Sequence, residues 1–321
     1  MPTRLFIPAL IAVVLALSAC SNSGAETASA AAVAPAATRS IVDAAGQTVR
    51  VPARAQRVIV LSEIDLDAAL ALGVKPVGAT NGRGQGGVPS YLAGAAAGVA
   101  SVGSFGQPSL DRILALQPDL ILAGGNADPQ LLAQLAHIAP TVVSFKVGES
   151  WRDSFARMAE VLGRGDAART FFAEYDAAAK QLAVDLQGNA GATVSIVRWT
   201  AQGPVYMLGD AFAGRVLADV GFARPKPQQA SGAGHSSPMS REALSQIDAD
   251  WIFLGAFKTG TKADPAGFAR LLQEPEFKEL AAARAGHVRE VDAALWTSVG
   301  GPLAARQLLV DVRAAMLGQP S

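Results

Sequence analysis

From Arg57 onward, short apolar runs alternate with stretches whose apolar residues fall on one face at helical spacing. RVIVL (57–61) has the length of a buried strand. In EIDLDAALALG (63–73), Ile64, Leu66, Ala69, Leu70 and Leu72 lie near one face, with Gly73 as a stop. KPVGA (75–79) and VASVG (99–103) are strand candidates. SLDRILALQP (109–118) predicts a short helix with Ser109 at its N-cap and Pro118 ending it, and DLILAG (119–124) the next strand. DPQLLAQLAHIA (128–139) and TVVSF (141–145) repeat the step. A longer stripe of Phe171, Phe172, Tyr175, Ala179, Leu182 and Leu186 predicts a helix over 166–187, about 33 Å long at 1.5 Å per residue. The alternation then restarts with TVSIVRW (193–199), PVYML (204–208), the helix AFAGRVLADVG (211–221), DWIFLG (250–255) and HVREVD (287–292). A last helix runs from Pro302, a favoured first-turn residue, to Leu317.

Strands separated by helices of this length argue for βαβ units and mainly parallel sheets. One block recurs. SLDRILALQPDLILAG (109–124) aligns without gaps on SREALSQIDADWIFLG (240–255), each with a Ser cap, an acid two residues on, an Asp and a strand ending in Gly. One copy in each half predicts two related α/β lobes, 41–165 and 189–321, joined by a helix at 166–188.

The first 40 residues follow another logic. Leu5 to Leu17 is an apolar run of about 13 residues after a single cation, Arg4, and is shorter than the roughly 20 that span a bilayer. Its length and flanks are those of a secretory h-region, so 1–19 reads as a signal peptide. The run closes on Leu17-Ser18-Ala19-Cys20, which resembles the bacterial lipobox and implies cleavage before Cys20 and diacylglycerol on its sulfur. Cys20 is the only cysteine, so no disulfide is expected; the alternative is an ordinary signal peptide that leaves a free thiol. Residues 21–40 are almost wholly Ala, Ser, Thr and Gly, which makes 20–40 a lipidated cysteine and flexible linker.

Charge and motifs narrow the function. Basic and acidic residues balance at 27 each, which offers no electrostatic footprint for nucleic acid. No G-x-S-x-G or H-E-x-x-H occurs, and GRGQGG (82–87) lacks the G-K-S/T end of a phosphate loop. His137, His235 and His287 lie far apart with no cysteine to assist them, which argues against a zinc or manganese receptor and excludes an iron–sulfur cluster. Neither a cofactor nor an enzyme activity is expected.

The lipoprotein signal, RVIVL with ALALGVKPVGA, VGSFGQPSLDRILALQPDLIL (102–122), the long helix, VSIVRW, VYMLGDAFAGRVLADVGF and WTSVGGP resemble the bacterial ABC-transporter substrate-binding proteins of the ferric-siderophore and cobalamin type. The likeness covers roughly 41 to 317. It implies two Rossmann-like lobes, a ligand cleft between them and one rigid connecting helix. RW at 198–199 and GRGQGGVPSYL (82–92) look closer to ferric-siderophore receptors than to those for cobalamin or haem. The resemblance supports Arg198 best as a ligand-binding residue, and Trp199, Arg83, Tyr206, Trp296 and His235 are further candidates. Adjacent strand residues face opposite ways, so Arg198 and Trp199 cannot share one cleft without a bend. Asp111 and Glu242 take matched places in the two lobes, where the family carries an acid that engages an arginine of the permease; Asp stands at the first place instead of the usual Glu. Glu63 is a cleft-edge acid without an assigned role.

The implied protein is a monomeric carrier on the periplasmic or outer face of the membrane, anchored through Cys20. It would hand a ferric siderophore to an ABC permease and its ATPase. The siderophore supplies iron's oxygen donors, so no direct metal ligands are expected. The same architecture carrying haem or cobalamin is one alternative. A secreted hydrolase using Ser236 or Ser237 beside His235 is a second, and a signalling or adhesion lipoprotein is a third.

Overall fold

The computed structural model describes residues 37–126, 128–257, 264–298 and 300–318. The signal peptide, Cys20 and most of the expected linker lie outside them. β1 (Thr38–Val42) and β2 (Thr48–Pro52) form an antiparallel hairpin, so strand structure starts inside the segment assigned to the linker. Its turn is closed by Asp43, whose Oδ1 accepts from Gln47 N at 2.8 Å, and by Gly46 at φ +83°. That backbone conformation favours glycine.

The first lobe continues with β3 (Val58–Val60), α1 (Glu63–Ala71), β4 (Gly78–Ala79) and β5 (Ala100–Ser101). The short hairpin of β6 (Gly103–Ser104) and β7 (Gln107–Pro108) precedes α2 (Leu110–Ala115), β8 (Leu120–Leu122), α3 (Pro129–Ala136) and β9 (Thr141–Val142). The order β5-β4-β3-β8-β9 is parallel throughout. Ser62 and Ser109 cap α1 and α2 by accepting from the Asp65 and Arg112 amides. A helix that the pattern reading left out, α4 (Trp151–Leu162), buries Trp151, Phe155, Met158 and Leu162 along one stripe.

α5 (Gly165–Asp185) leads to the second lobe and packs on α4. There β10 (Val194–Thr200), β11 (Gly203–Tyr206) and α6 (Phe212–Val220) are followed by a 3₁₀ turn at Arg241–Ile247 and β12 (Trp251–Ala256). Three short helices, α7 (Pro265–Leu271), α8 (Pro275–Lys278) and α9 (Ala281–Arg284), precede β13 (Val288–Asp292), α10 (Ala293–Trp296) and α11 (Pro302–Leu317). The sheet order is β11-β10-β12-β13, with β11 an antiparallel edge on three parallel strands.

Alternation along the central strands sorts the core. Val58 and Val60 face the main cluster with α1, α4 and α5, whereas Ile59 and Leu61 face an outer cluster with Ile113 and Leu135. In the second lobe Val194, Ile196 and Phe253 face the main cluster, and Val197, Ile252 and Leu254 an outer one. The repeated block folds differently in its two copies. Around 109 it makes a capped α-helix; around 240 it makes the 3₁₀ turn, and the Ser240 side chain caps no backbone amide there.

Among the described residues, polar contacts tie the lobes at three places besides α5, alongside the packing of α11 on α1 and α4. Arg152 on α4 reaches Asp219 on α6 at 3.2 Å as well as Asp176 on α5 at 2.6 Å. Ser90 Oγ donates to Asp292 Oδ2 at 2.9 Å. Asp67 on α1 accepts from the first amides of α11, Leu303 N at 2.7 Å and Ala304 N at 2.9 Å.

Candidate functional site

Between the lobes lies a cavity of about 500 Å³, walled by Ile64, Phe145 and Trp151 on one side and by Phe212 and Arg215 on the other. Arg83 stands at its edge and also borders an adjoining space of about 250 Å³ with Arg198, Met207, His235 and Thr297. Arg198 and His235 in turn border a third space of about 370 Å³, shared with Trp199, Pro238 and Asp264. The first two spaces share Arg83 and the last two share Arg198 and His235, so cations stand where apolar and aromatic walls adjoin.

Arg198 owes its place to β10. Residues 194–197 are buried, and at 198 the strand emerges at the C-terminal end of the parallel sheet, where clefts of α/β folds lie. It shares the face of Val194 and Ile196, which looks toward the interlobe helices. Its Nη1 donates to the Thr297 carbonyl at 3.2 Å, its Nε is buried without a partner, and burial holds its pKa below the usual arginine value. No carboxylate compensates it among the described residues.

The other cations are compensated to different degrees. Arg83 Nε lies 3.4 Å from Glu63 Oε1, and its guanidinium sits 4.1 Å over the Phe105 ring. Arg215 lies 3.4 Å from Asp210. Glu149 is held below the ordinary carboxylate range chiefly by its bond to Arg157, at 2.5 Å. Lys146, exposed, completes the rim of the first cavity.

The structure brings Arg198, Arg83 and His235 to the cleft, sets Trp199 on the adjoining second-lobe space, and leaves two candidates elsewhere. Trp199 packs on the outer cluster of its lobe, and its Nε1 donates to Asp264 Oδ2 at 3.3 Å, so strand alternation places it on the wall opposite Arg198's face. Tyr206 is half-buried against the same cluster, and lines none of the three cavities. Trp296 is a correction. It ends α10 instead of lying in a loop, is 1% exposed, stacks on Phe253 at 4.3 Å and donates to Asp311 Oδ2 at 2.8 Å. Its ring is core.

His235 is exposed, with Nδ1 2.8 Å from the Ser236 carbonyl; Ser236 Oγ donates to the Ser237 carbonyl at 2.8 Å and accepts from Tyr206 N at 3.1 Å. Among the described residues no base accepts from that hydroxyl, and nucleophilic chemistry at a serine needs one. Asp111 and Glu242 are both exposed in the first turns of their elements.

Sequence reasoning missed Phe105, Phe145, Trp151, Phe212 and Arg215. Phe145 and Phe212 sat inside segments read for strand and helix pattern alone. An aromatic at the C-terminal end of a strand, as at Phe145, was the available signal.

A sequence model described as periplasmic binding protein matches residues 58–295. A probable siderophore-binding lipoprotein of Bacillus subtilis (strain 168), YfiY, is 31% identical over 310 residues, covering 95% of each chain. The achromobactin-binding periplasmic protein of Dickeya dadantii (strain 3937) is 29% identical over 80% of this chain and 85% of its own. The crystal structure of Staphylococcus aureus SirA complexed with staphyloferrin B superposes with a TM-score of 0.74 at 26% identity, over 87% of this chain and 99% of that one. The two-lobed α/β fold, the cleft between the lobes and these matches agree, and the chain belongs to the periplasmic binding protein family.

Proposed function

We propose that this chain is the extracytoplasmic solute-binding component of an ABC importer, tethered through a lipid on Cys20, and that its cargo is a ferric siderophore with surplus negative charge. The observation that carries the reading is Arg198, a half-buried guanidinium facing the cleft with a single carbonyl for company. A buried cation gains most from an anionic oxygen that water cannot replace. Aromatic walls suit the chelator skeleton, and relatives of this chain are named for siderophore and ferric-citrate binding. Among the described residues no group of His, Cys, Asp and Glu side chains is placed to hold a metal, so iron would arrive inside its own chelate. The chain's part is to bind and orient the chelate; it needs to make or break no bond.

The test is a titration of the purified carrier with ferric citrate, ferric hydroxamate and ferric catecholate chelates, haemin and cobalamin. Tryptophan fluorescence and melting temperature are read together, because a specific ligand raises the second. Saturable binding to a ferric chelate supports the reading. A response to haemin or cobalamin alone moves the cargo and overturns it.

Asp111 and Glu242, exposed on the same step of each lobe, are read as the docking acids for cationic side chains of the permease. A carrier with Asp111→Lys and Glu242→Lys is expected to bind the chelate with unchanged affinity and to lose at least about tenfold in uptake, through like-charge repulsion at the dock. Normal uptake by the double variant would sink the assignment.

A further inference from the structure

The start of α1, E-I-D-L-D, sets three carboxylates at alternate positions and buries them all: Glu63 is 4% exposed, Asp65 and Asp67 0%. Each ties α1 to a different segment of the chain. Asp65 accepts from Ser62 Oγ at 2.8 Å, from Gly124 N at 3.0 Å and from Ser144 Oγ, next to Phe145. Asp67 takes the amides that open α11 and the Tyr91 hydroxyl at 2.9 Å. Glu63 takes the Arg83 loop at two points. Its Oε2 accepts from Arg83 N at 2.9 Å, and its Oε1 meets Nε of the same residue.

The loop closes directly over this carboxylate. A Cβ at Gly82 would stand 3.0 Å from Gln85 Nε2 and 3.2 Å from Glu63 Oε2, so a larger residue there would press on the clamp. Phe105 supports the guanidinium from its face at 4.1 Å. The backbone amide of Arg83 is thus anchored by a hydrogen bond, and its guanidinium lies between the Glu63 carboxylate and the Phe105 ring. Arg198, the other arginine at the meeting of the cavities, has no such acid among the described residues. Two like side chains thus border one cleft with unlike electrostatics.

We propose that Glu63 is a positioning and selectivity residue: it fixes Arg83 at the cleft wall and offsets its charge, so that Arg198 carries the response to net ligand charge and Arg83 serves as an oriented donor. The proposal rests on the ferric-chelate reading and gives Glu63 a part in it. An acid this close to the cleft lowers the potential there, and burial leaves the interaction poorly screened.

The experiment compares the full chain with its Glu63→Gln variant against an anionic ferric citrate-type chelate and a neutral ferric trishydroxamate. Gln keeps the acceptor for Arg83 N and removes the charge. Expected is about a tenfold gain in affinity for the anionic chelate with the neutral one changed less than about twofold. Arg83→Ala added to Glu63→Gln is expected to abolish the gain. Equal shifts for both chelates, or no shift, overturn the proposal. A ligand-free readout separates its failure from that of the cargo assignment. In Glu63→Ala the amides of residues 82–88 should exchange with deuterated solvent at least about tenfold faster than in the unaltered chain, for want of the anchor. If no chelate binds the unaltered chain, the cargo reading falls while faster exchange still supports the clamp. Unchanged exchange overturns the clamp whatever the cargo.

Discussion

Arg198→Ala is expected to weaken binding of an anionic ferric chelate about 100-fold while leaving the melting temperature of the free carrier nearly unchanged. The side chain makes one hydrogen bond inside the protein, to the Thr297 carbonyl at 3.2 Å, and holds up no other element. Its removal costs the fold little. Its partly desolvated charge is another matter. A charge-assisted hydrogen bond contributes about 1.5–3 kcal/mol, and the upper figure is a little over a hundredfold in affinity. Arg198→Lys should recover only part of this, because an ammonium offers a point charge where guanidinium offers a planar fork. Calorimetric titration of the three proteins, with melting curves alongside, checks the ranking. An alanine variant that binds within about twofold of the original would remove Arg198 from the site.

The second large effect concerns stability. Burial pushes both Asp65 and Asp67 up from 3.8 to about 6, against the pull of their hydrogen bonds. Above pH 6 both carboxylates are ionised in the folded and the unfolded chain, and the full cost of burying them is present. As the pH falls through 6 the folded chain takes up protons that the unfolded chain binds only near 3.8, so this part of the stability rises toward pH 4. Each shift corresponds to on the order of 3 kcal/mol. Burial moves Asp311 in the same direction. Glu149 and Asp250, both held low, act the opposite way, below the ordinary carboxylate range. The carrier should therefore melt at a higher temperature at pH 5 than at pH 7.

Asp67→Ala sharpens the test. It deprives the Tyr91 hydroxyl and the first amides of α11 of their acceptor in a place closed to water. A loss of about 3 kcal/mol at pH 7 is expected from orphaned buried donors. The variant should also show a smaller rise between pH 7 and pH 5. A melting temperature that is flat or falls over that interval in the unaltered chain, or a variant as stable as the parent, would contradict this account.

What the sequence disclosed and what it hid divide along the range of the interactions. VIV at 58–60 and LIL at 120–122 are buried on both faces, so their unbroken apolar runs announce parallel strands. Arg198 was legible because a charge ending such a run has to leave the core. Trp296 was not, because α10 has four residues, too few to display a period, and the ring it stacks on belongs to Phe253, far away in sequence. The pairing of Glu63 with Arg83 spans 20 residues and depends on a loop with no pattern of its own. The hairpin at β1 was hidden by its short, half-exposed strand TRSIV beside an Ala- and Ser-rich flank.

Arg152 with Asp219, Ser90 with Asp292, and Asp67 with the start of α11 join the two lobes at separate points. A cleft held this way meets its cargo already shaped. Sorting then takes place at the moment of encounter, by what fits through the mouth and is drawn by its potential, with no slow folding of one half over the other. A carrier tied in this way is expected to bind in a single step, at a rate set by encounter and steering.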